Sequence, residues 1–276
     1  MKEDSFFWFR ENRLVIPGVR GEHTFMHITD THVNVWDEDS APEDRERAEK
    51  QDEMWKTFKG RFAGANGEPY GDPQRIPTRE AFEKQLALAE ELKPEALLLS
   101  GDNLEWSHPA GLRYLERKLG EYGGPYMILP GNHEDQTFGS LWKPGVRVRE
   151  FDGFRIAAVD DSRKTVSRED LDTLHALCAE GIPLIILCHI PLSTPNCKEE
   201  CKEKMTGMND YFYIDGETAD DCGREFVALC AGEDAVKAVV CGHVHGYYRM
   251  ELVPGKPQII GSQGMAGAVH LLTVCG

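Results

Sequence analysis

The chain of 276 residues lacks any apolar run close to the ~18 residues that a membrane-spanning helix needs. Its start is acidic and then aromatic, with Phe6-Phe7-Trp8-Phe9 as the only apolar cluster. A secretory signal would instead show a basic stretch followed by a long apolar one. We therefore expect a cytoplasmic protein with no membrane partner.

The chain shows no cysteine-rich pattern and has eight cysteines in all. Eight cysteines in a chain of this size do not indicate a disulfide framework, so we expect mostly free thiols in a reducing compartment. Cys197, Cys201, Cys222 and Cys230 form the one alternative, a second zinc site. Their spacing does not match common zinc modules, and free thiols are the favoured interpretation.

Positive charge is scarce: Lys and Arg total 31 against 47 for Asp and Glu, a formal charge of −16. Such a surface repels polyanions, so broad nucleic-acid binding is disfavoured. A small anionic substrate is not excluded, because bound metal ions can dominate the field inside a cleft. Internal repeats are absent as well, and nothing in the pattern indicates an oligomeric state.

Short apolar runs alternate with helical patterns along the chain, which favours one α/β domain spanning residues 1–276. Pairing should be largely parallel, with an antiparallel tail after residue 246. Helices are predicted at Arg79–Leu92, Pro109–Glu121 and Ser167–Ala179. The predicted strands are Thr24–Thr29, Glu95–Ser100, Tyr126–Leu129, Phe154–Val159, Pro183–Cys188, Lys237–Cys241, Tyr248–Val253, Gln258–Gly261 and Val269–Val274.

Two segments interrupt this alternation, at about 37–78 and 193–218. The first is highly charged and then rich in Gly and Pro, and it predicts one helix over about Pro42–Phe62. Each segment follows a candidate metal ligand closely. Each is therefore either an insertion that overhangs the site or an ordinary surface insertion.

Five of the predicted strands end in the same way, with Asp, Asn or His at or just beyond the last apolar residue. In open α/β sheets ligands bind at the carboxyl ends of strands, so these side chains should meet at one edge. Imidazole with carboxylate or amide oxygen suits manganese, iron, zinc or nickel. The segments are Asp30-Thr31-His32, Gly101-Asp102, Gly131-Asn132-His133-Glu134, His189 and Gly242-His243-Val244-His245.

Seven candidate ligands are too many for one tetrahedral zinc and suit two ions that share a carboxylate. The glycines before Asp102, Asn132 and His243 indicate turns where the backbone must approach closely. A further run, Asp160-Asp161-Ser162, follows another strand and could approach the site, but a turn is the favoured interpretation.

In this order the segments resemble the calcineurin-like metallophosphoesterase superfamily, with its D-x-H, G-D, G-N-H-[DE], H and G-H-x-H motifs. The resemblance runs from about residue 24 to 246. It implies an α/β fold of a particular kind, a four-layer αββα sandwich of two mixed β-sheets flanked by helices.

The resemblance also implies the roles of the site residues. Two divalent or trivalent transition-metal ions (Mn, Fe or Zn) would be held, with Asp102 bridging them, and a metal-bridging hydroxide would attack the phosphoester without a phosphoenzyme. His133 would stabilise or protonate the leaving oxygen. The implied ligands are Asp30, His32 and His245 for one ion, and Asn132, His189 and His243 for the other.

Glu105 stands where many relatives carry an Asp in G-D-x-x-D, and we expect its carboxylate to orient His133. A plain surface Glu105 is the alternative, and Glu134 is the competing partner of His133. The longer side chain is a departure from the family pattern.

Other departures concern the substrate. The Ser/Thr phosphatases of the superfamily have Arg beside these motifs, whereas this chain has Trp106-Ser107 and Pro130. The chain looks more like the cyclic-nucleotide phosphodiesterase-like branch, which implies a small phosphorylated substrate such as a nucleotide, cyclic nucleotide or sugar phosphate. Either a phosphomonoester or a phosphodiester fits. The rival hypotheses are a catalytically inactive metal-binding scaffold of the same fold and, less favoured, a two-metal amidohydrolase.

Overall fold

The computed structural model describes residues 6–62, 76–134, 141–204 and 212–276, without the side chains of 56–62 and 203–204. Within these ranges the chain forms thirteen strands and six α-helices. The helices are α1 (Pro42–Phe62), α2 (Thr78–Leu92), α3 (Pro109–Tyr122), α4 (Arg168–Ala179), α5 (Lys198–Lys204) and α6 (Asp221–Gly232). The strands are β1 (Trp8–Val15), β2 (Glu22–Ile28), β3 (Ala96–Ser100), β4 (Tyr126–Leu129), β5 (Arg147–Phe151), β6 (Phe154–Ala158), β7 (Leu184–Leu187), β8 (Leu192–Ser193), β9 (Ile214–Asp215), β10 (Val236–Cys241), β11 (Tyr248–Val253), β12 (Lys256–Ile260) and β13 (Ala268–Cys275).

The strands form two large sheets and a short two-stranded ribbon of β8 and β9. The first sheet has the order β1-β13-β2-β3-β4 and the second has the order β11-β12-β10-β7-β6-β5. Both sheets are mixed. In the first, β2, β3 and β4 are parallel while β13 runs antiparallel to β2. In the second, β6, β7, β10 and β12 are parallel while β5 and β11 run antiparallel to their neighbours.

The alternation of side chains along β7 shows how the layers pack. Ile185 and Leu187 point into a core shared with the first sheet, whereas Leu184 and Ile186 point to the other face, against α4 and α6. On the far side, α2 and α3 pack against the first sheet through residues such as Phe82. The architecture is therefore a four-layer αββα sandwich, which confirms the predicted fold class.

Several elements were not predicted from the sequence, chiefly β1, β5 and α6. The strand β1 reads WFRENRLV, and only two of its residues are buried, because it lies at the edge of the first sheet. Its register is set by β13, which pairs Trp8 with Ala268. The expected antiparallel tail is only partly present, because β11–β12 and β13–β2 are antiparallel while β12 runs parallel to β10 and β13 runs parallel to β1. Strands β11 and β12 join the second sheet, whereas β13 joins the first.

None of the helices in the described part of the chain is long and apolar enough to cross a membrane.

The start of α4 follows from a single hydroxyl group. Ser167 accepts a hydrogen bond from the backbone N–H of Asp170, and its own hydroxyl donates to the Asp170 carboxylate at 2.7 Å. An N-cap of this kind satisfies one of the unpaired N–H groups in the first turn.

We predict that Ser167→Ala lowers the free energy of unfolding by about 1 kcal/mol, the usual value of such a cap. Urea denaturation measures the change. Ser162→Ala is the matched control, because Ser162 contacts Asp160 through its backbone N–H and keeps that bond. Equal stability of the two variants would contradict the assignment of the cap.

Candidate metal centre

The predicted ligands lie where strands of the two sheets end on the same side of the molecule. Strands β2, β3 and β4 of the first sheet lead into the segments containing Asp30, Asp102 and Asn132. Strands β7 and β10 of the second sheet lead into His189 and the His243–His245 segment. Since parallel strands end at a common edge, all seven predicted ligands are delivered to one place.

One donor group consists of Asp30, His32, Asp102 and His245, whose donor atoms all lie within 4.8 Å of one another. The Nε2 atoms of His32 and His245 are 3.0 Å apart. His245 Nε2 also lies 3.3 Å from Asp30 Oδ1, and His32 Nε2 lies 3.7 Å from Asp102 Oδ2.

A second donor group consists of Asp102, His189 and His243. His189 Nε2 lies 3.3 Å from Asp102 Oδ2 and 3.1 Å from Asn132 Oδ1. Asp102 therefore belongs to both groups, and Asn132 borders the second.

The hydrogen bonds of His189 define what the second group can hold. Its Nδ1 is 2.8 Å from the backbone oxygen of Ser100, which can only accept, so Nδ1 carries the proton. In the neutral ring, Nε2 then presents a lone pair toward oxygens of Asp102 and Asn132. Lone pairs that face one another in a buried site need a cation between them. A divalent metal ion satisfies His189, Asp102 and Asn132 together.

The same argument holds for the first group. Nδ1 of His32 lies 2.9 Å from the Glu105 carboxylate, which leaves Nε2 as the lone pair that faces His245 and Asp102. A carboxylate behind a ligating imidazole is the common arrangement in metalloproteins. The residues present thus fit a cation in each group.

The pKa values reflect this demand for positive charge. Burial lowers the pKa of His189, but the negative charge of Asp102 outweighs it and raises that pKa to about 10. Burial would raise the pKa of Asp102, yet the neighbouring His189 holds it well below its usual range. Burial lowers the pKa of His243 to about 3, which keeps that imidazole neutral and able to bind a metal.

The backbone at the site is strained. Seven non-glycine residues in the described part of the chain have a positive φ, and five of them are predicted ligands. Such conformations cost of the order of 1–3 kcal/mol each and persist where the surroundings enforce them. The five are Asp30 (φ 53°), His32 (42°), Asp102 (49°), His243 (73°) and His245 (53°).

Close approach of the backbone explains the glycine before His243. A Cβ on Gly242 would collide with Thr29 Oγ1 and lie 2.6 Å from Asp30 Oδ2. Those atoms are needed in place, because Asp30 Oδ2 accepts hydrogen bonds from Thr29 Oγ1 and from the backbone N–H of His243. Gly242 thus lets the turns after β2 and β10 meet.

His133 belongs with His32 and Glu105 to a further cluster of possible ligand atoms, and its side chain is 32% exposed. Its backbone N–H donates to Asp102 Oδ1 at 3.0 Å, and its Nδ1 donates to the backbone oxygen of Glu105 at 2.9 Å. Burial lowers the pKa of His133, but the charges of Asp102 and Glu105 raise it above its ordinary value overall.

The Glu105 carboxylate points mainly at His32, whereas the sequence predicted that it pairs with His133. It lies 2.9 Å from His32 Nδ1 and 3.7 Å from His133 Nδ1. Glu105 reaches His133 more closely through its backbone oxygen. The competing partner, Glu134, instead accepts from the backbone N–H groups of Gly131 and Leu104, and so holds the two loops together.

Two supporting residues were missed by the sequence analysis. Asp161, interpreted as part of a turn, is buried and accepts from the backbone N–H groups of His189 (2.7 Å) and Ile190 (2.9 Å). Its position directly after a strand was the available signal. Trp55, on α1, places its ring 4.8 Å from that of His32, and no sequence pattern indicated it.

The cysteines lie outside these groups. All eight are free thiols, and among the described residues no cysteine belongs to a group of metal-ligating side chains. Cys222 is half-buried and the rest are buried.

We predict that Gly242→Ala reduces the metal content of the protein and lowers its free energy of unfolding by about 1–3 kcal/mol, because the new methyl group overpacks the site. Elemental analysis and urea denaturation measure the two effects. Gly120→Ala, in α3, is the control, since a Cβ there meets nothing within 4 Å. Normal metal content in the Gly242 variant would refute the close approach.

Known proteins share parts of this sequence and its fold. A relative from Synechococcus sp., described as "Probable cyclic nucleotide phosphodiesterase", is 28% identical over 163 residues, which cover 55% of this chain and 58% of that protein. This chain therefore matches less than two thirds of that relative's length. The crystal structure of a dimetal phosphatase from Danio rerio has a similar fold, with a TM-score of 0.54, 11% identity and 88% of each chain covered. Residues 23–247, which include all seven predicted ligands, match the family described as "Calcineurin-like phosphoesterase". This chain belongs to the calcineurin-like phosphoesterase family.

Proposed function

We propose that this protein is a binuclear metal-dependent phosphoesterase that hydrolyses a small phosphorylated substrate, either a phosphomonoester or a phosphodiester. The observation that carries the proposal is the position of Asp102, which belongs to both donor groups. A carboxylate shared in this way supports two ions held side by side, each completed by ligands from both sheets. Two such ions would supply an activated water and positive charge for the phosphoryl group.

The proposed ligand assignment follows the two groups. Each set contains two imidazoles and one oxygen donor besides Asp102, a mixture that suits manganese, iron or zinc. The first ion would be held by Asp30, His32 and His245, and the second by Asn132, His189 and His243.

The charge of the site supports an anionic substrate even though the whole chain carries −16. The proposed ligands include only two carboxylates, Asp30 and Asp102. Two divalent cations would bring four positive charges, so the centre would stay net positive and attract a phosphoryl group.

His133 is the proposed acid for the leaving oxygen. Its Nδ1–H is engaged by the Glu105 backbone oxygen, so a protonated ring keeps its second N–H, on Nε2, for the substrate. A general acid requires that protonated form, and the Glu105 carboxylate, 3.7 Å from Nδ1, would stabilise it.

The substrate class is narrowed by what flanks the site. Trp106-Ser107 and Pro130 occupy places where phosphate-gripping Arg residues would favour a phosphoprotein. Phe212 lies on the other flank, with its ring 5.4 Å from that of His243. Together with the description of the Synechococcus relative as a probable cyclic nucleotide phosphodiesterase, these features support a nucleotide or cyclic nucleotide over a phosphoprotein, with a sugar phosphate as the further small substrate.

The test is turnover of p-nitrophenyl phosphate and bis-p-nitrophenyl phosphate by the manganese-loaded protein. We expect hydrolysis of at least one ester by the wild type. Asp102→Asn should abolish activity and reduce metal content, because it removes the shared charge. A metal-replete wild type that turns over neither ester would favour the inactive scaffold of the same fold. Wild-type rates in Asp102→Asn would refute the bridging role.

We predict that His133→Ala retains both metal ions and loses about 10²–10⁴-fold in rate, the usual contribution of a general acid. Metal analysis and steady-state kinetics measure the two effects. His175→Ala is the control, since that histidine lies on α4 and pairs with Glu225. Loss of metal from His133→Ala would show that His133 is a ligand.

A further inference from the structure

Helix α1 belongs to the charged segment at 37–78, yet one of its faces is bound to the metal-ligand loops. Ala48 and Trp55 are buried, and Gln51, Asp52 and Trp55 lie on the same face because residues three and four apart are neighbours on a helix. Asp52 accepts from the backbone N–H of Thr78 at 3.1 Å and from its hydroxyl at 2.8 Å. These bonds tie α1 to the start of α2.

The same face holds Glu105 in place. Trp55 Nε1 donates to Glu105 Oε2 at 2.7 Å, and Gln51 Nε2 donates to Glu105 Oε1 at 3.0 Å. Oε2 is also the atom that lies 2.9 Å from His32 Nδ1. The indole and the ligating imidazole of His32 therefore share one carboxylate oxygen.

Helix α1 also contacts the first donor group through the ring of Trp55 and, by way of Asn34, through the backbone of His32. The Trp55 ring lies 4.8 Å from that of His32 and 5.5 Å from that of His245. Asn34 lies 3.5 Å from the Asp52 carboxylate and donates to the backbone oxygen of His32 at 3.1 Å. Both ends of His32, its ring and its backbone, are thus connected to α1.

We propose that Trp55 and Gln51 are positioning residues for the first metal ion, the one held by Asp30, His32, Asp102 and His245. They act through Glu105, whose orientation decides which nitrogen of His32 faces the ion. The inference rests on the proposed function, because it requires two ions. It adds that Trp55 and Gln51 raise the affinity of the protein for one of those ions.

The physical reason lies in the alternatives open to Glu105. Its carboxylate lies 3.7 Å from His133 Nδ1, so a small rotation would transfer it from His32 to His133. The two donors from α1 oppose that rotation, one on each oxygen. Without them His32 loses its fixed tautomer and ring orientation, and partners of this kind contribute about 10–100-fold to metal affinity.

The experiment compares Trp55→Phe with the wild type in metal-free protein titrated with Mn²⁺ by calorimetry. Phenylalanine keeps an aromatic ring beside His32 and His245 and removes the N–H donor, together with part of the ring volume. We expect two ions per wild-type chain, and one of the two binding constants about tenfold weaker in the variant. The other constant should change by less than about twofold.

The affected site is assigned in single-site backgrounds. In His189→Ala, which disables the second site, adding Trp55→Phe should weaken the remaining ion about tenfold. In His245→Ala, which disables the first site, adding Trp55→Phe should leave the remaining ion unchanged. If Trp55→Phe weakens ion binding only in the His189→Ala background, its effect is local to the first site and is not a general loss of stability.

Trp36→Phe is the matched control, because Trp36 lies before α1 in the chain and is 41% exposed. It should bind both ions as the wild type does. Gln51→Leu is a second variant, and we expect it to weaken binding of the same ion. It replaces Trp55→Phe in the experiment if that variant folds poorly.

Equal weakening of both ions, or of neither, in Trp55→Phe and Gln51→Leu would overturn the positioning role while leaving the two-ion site intact. A wild-type chain that binds fewer than two ions would instead overturn the proposed function, and this inference with it.

Discussion

The structure depends on positive charge being supplied next to the buried carboxylate of Asp102. That carboxylate is buried, and the lone pairs of two histidines and the oxygen of Asn132 converge around it. Without cations, buried acceptors facing one another are costly, and the metal-free protein can answer only with extra protons, as the raised pKa of His189 shows. Two metal ions, as proposed, would satisfy the same demand without protonating the ligands. The site would therefore be more stable when occupied.

Convergence of this kind requires a rigid frame. Five ligand positions adopt left-handed backbone conformations, and glycines permit the turns to touch. The strain is offset by the core between the two sheets, where residues such as Leu98 and Ile185 are fully buried. Because the predicted ligands follow strands of both sheets, the packing of one sheet against the other would also set the spacing of the two proposed ions. Stability and chemistry are coupled through that interface.

Three carboxylates lie behind the predicted ligands, and each holds a different part of the site in place. Asp161 holds the loop of His189, Glu134 joins the loops after β3 and β4, and Glu105 faces His32. The proposed role of α1 extends this layer to a segment that looks like solvent-exposed surface in its composition. Each of these buried carboxylates accepts a hydrogen bond from a nearby N–H group. The acidic exterior of the protein is therefore compatible with an interior that would bind cations.

The sequence by itself indicated an α/β chain and seven candidate ligands, because strand and helix patterns alternate and each of these residues lies within a few positions of the end of an apolar strand. Local periodicity carries that information. The four-layer sandwich was implied by the order of the motifs, which resembles that of a known family. The direction of the Glu105 carboxylate, the support from Asp161 and the arrival of Trp55 were decided only by tertiary structure. So was the pairing of β1 with β13, which joins residues some 260 positions apart. Contacts of that range leave no periodic trace, since they depend on how whole layers pack and not on neighbouring residues.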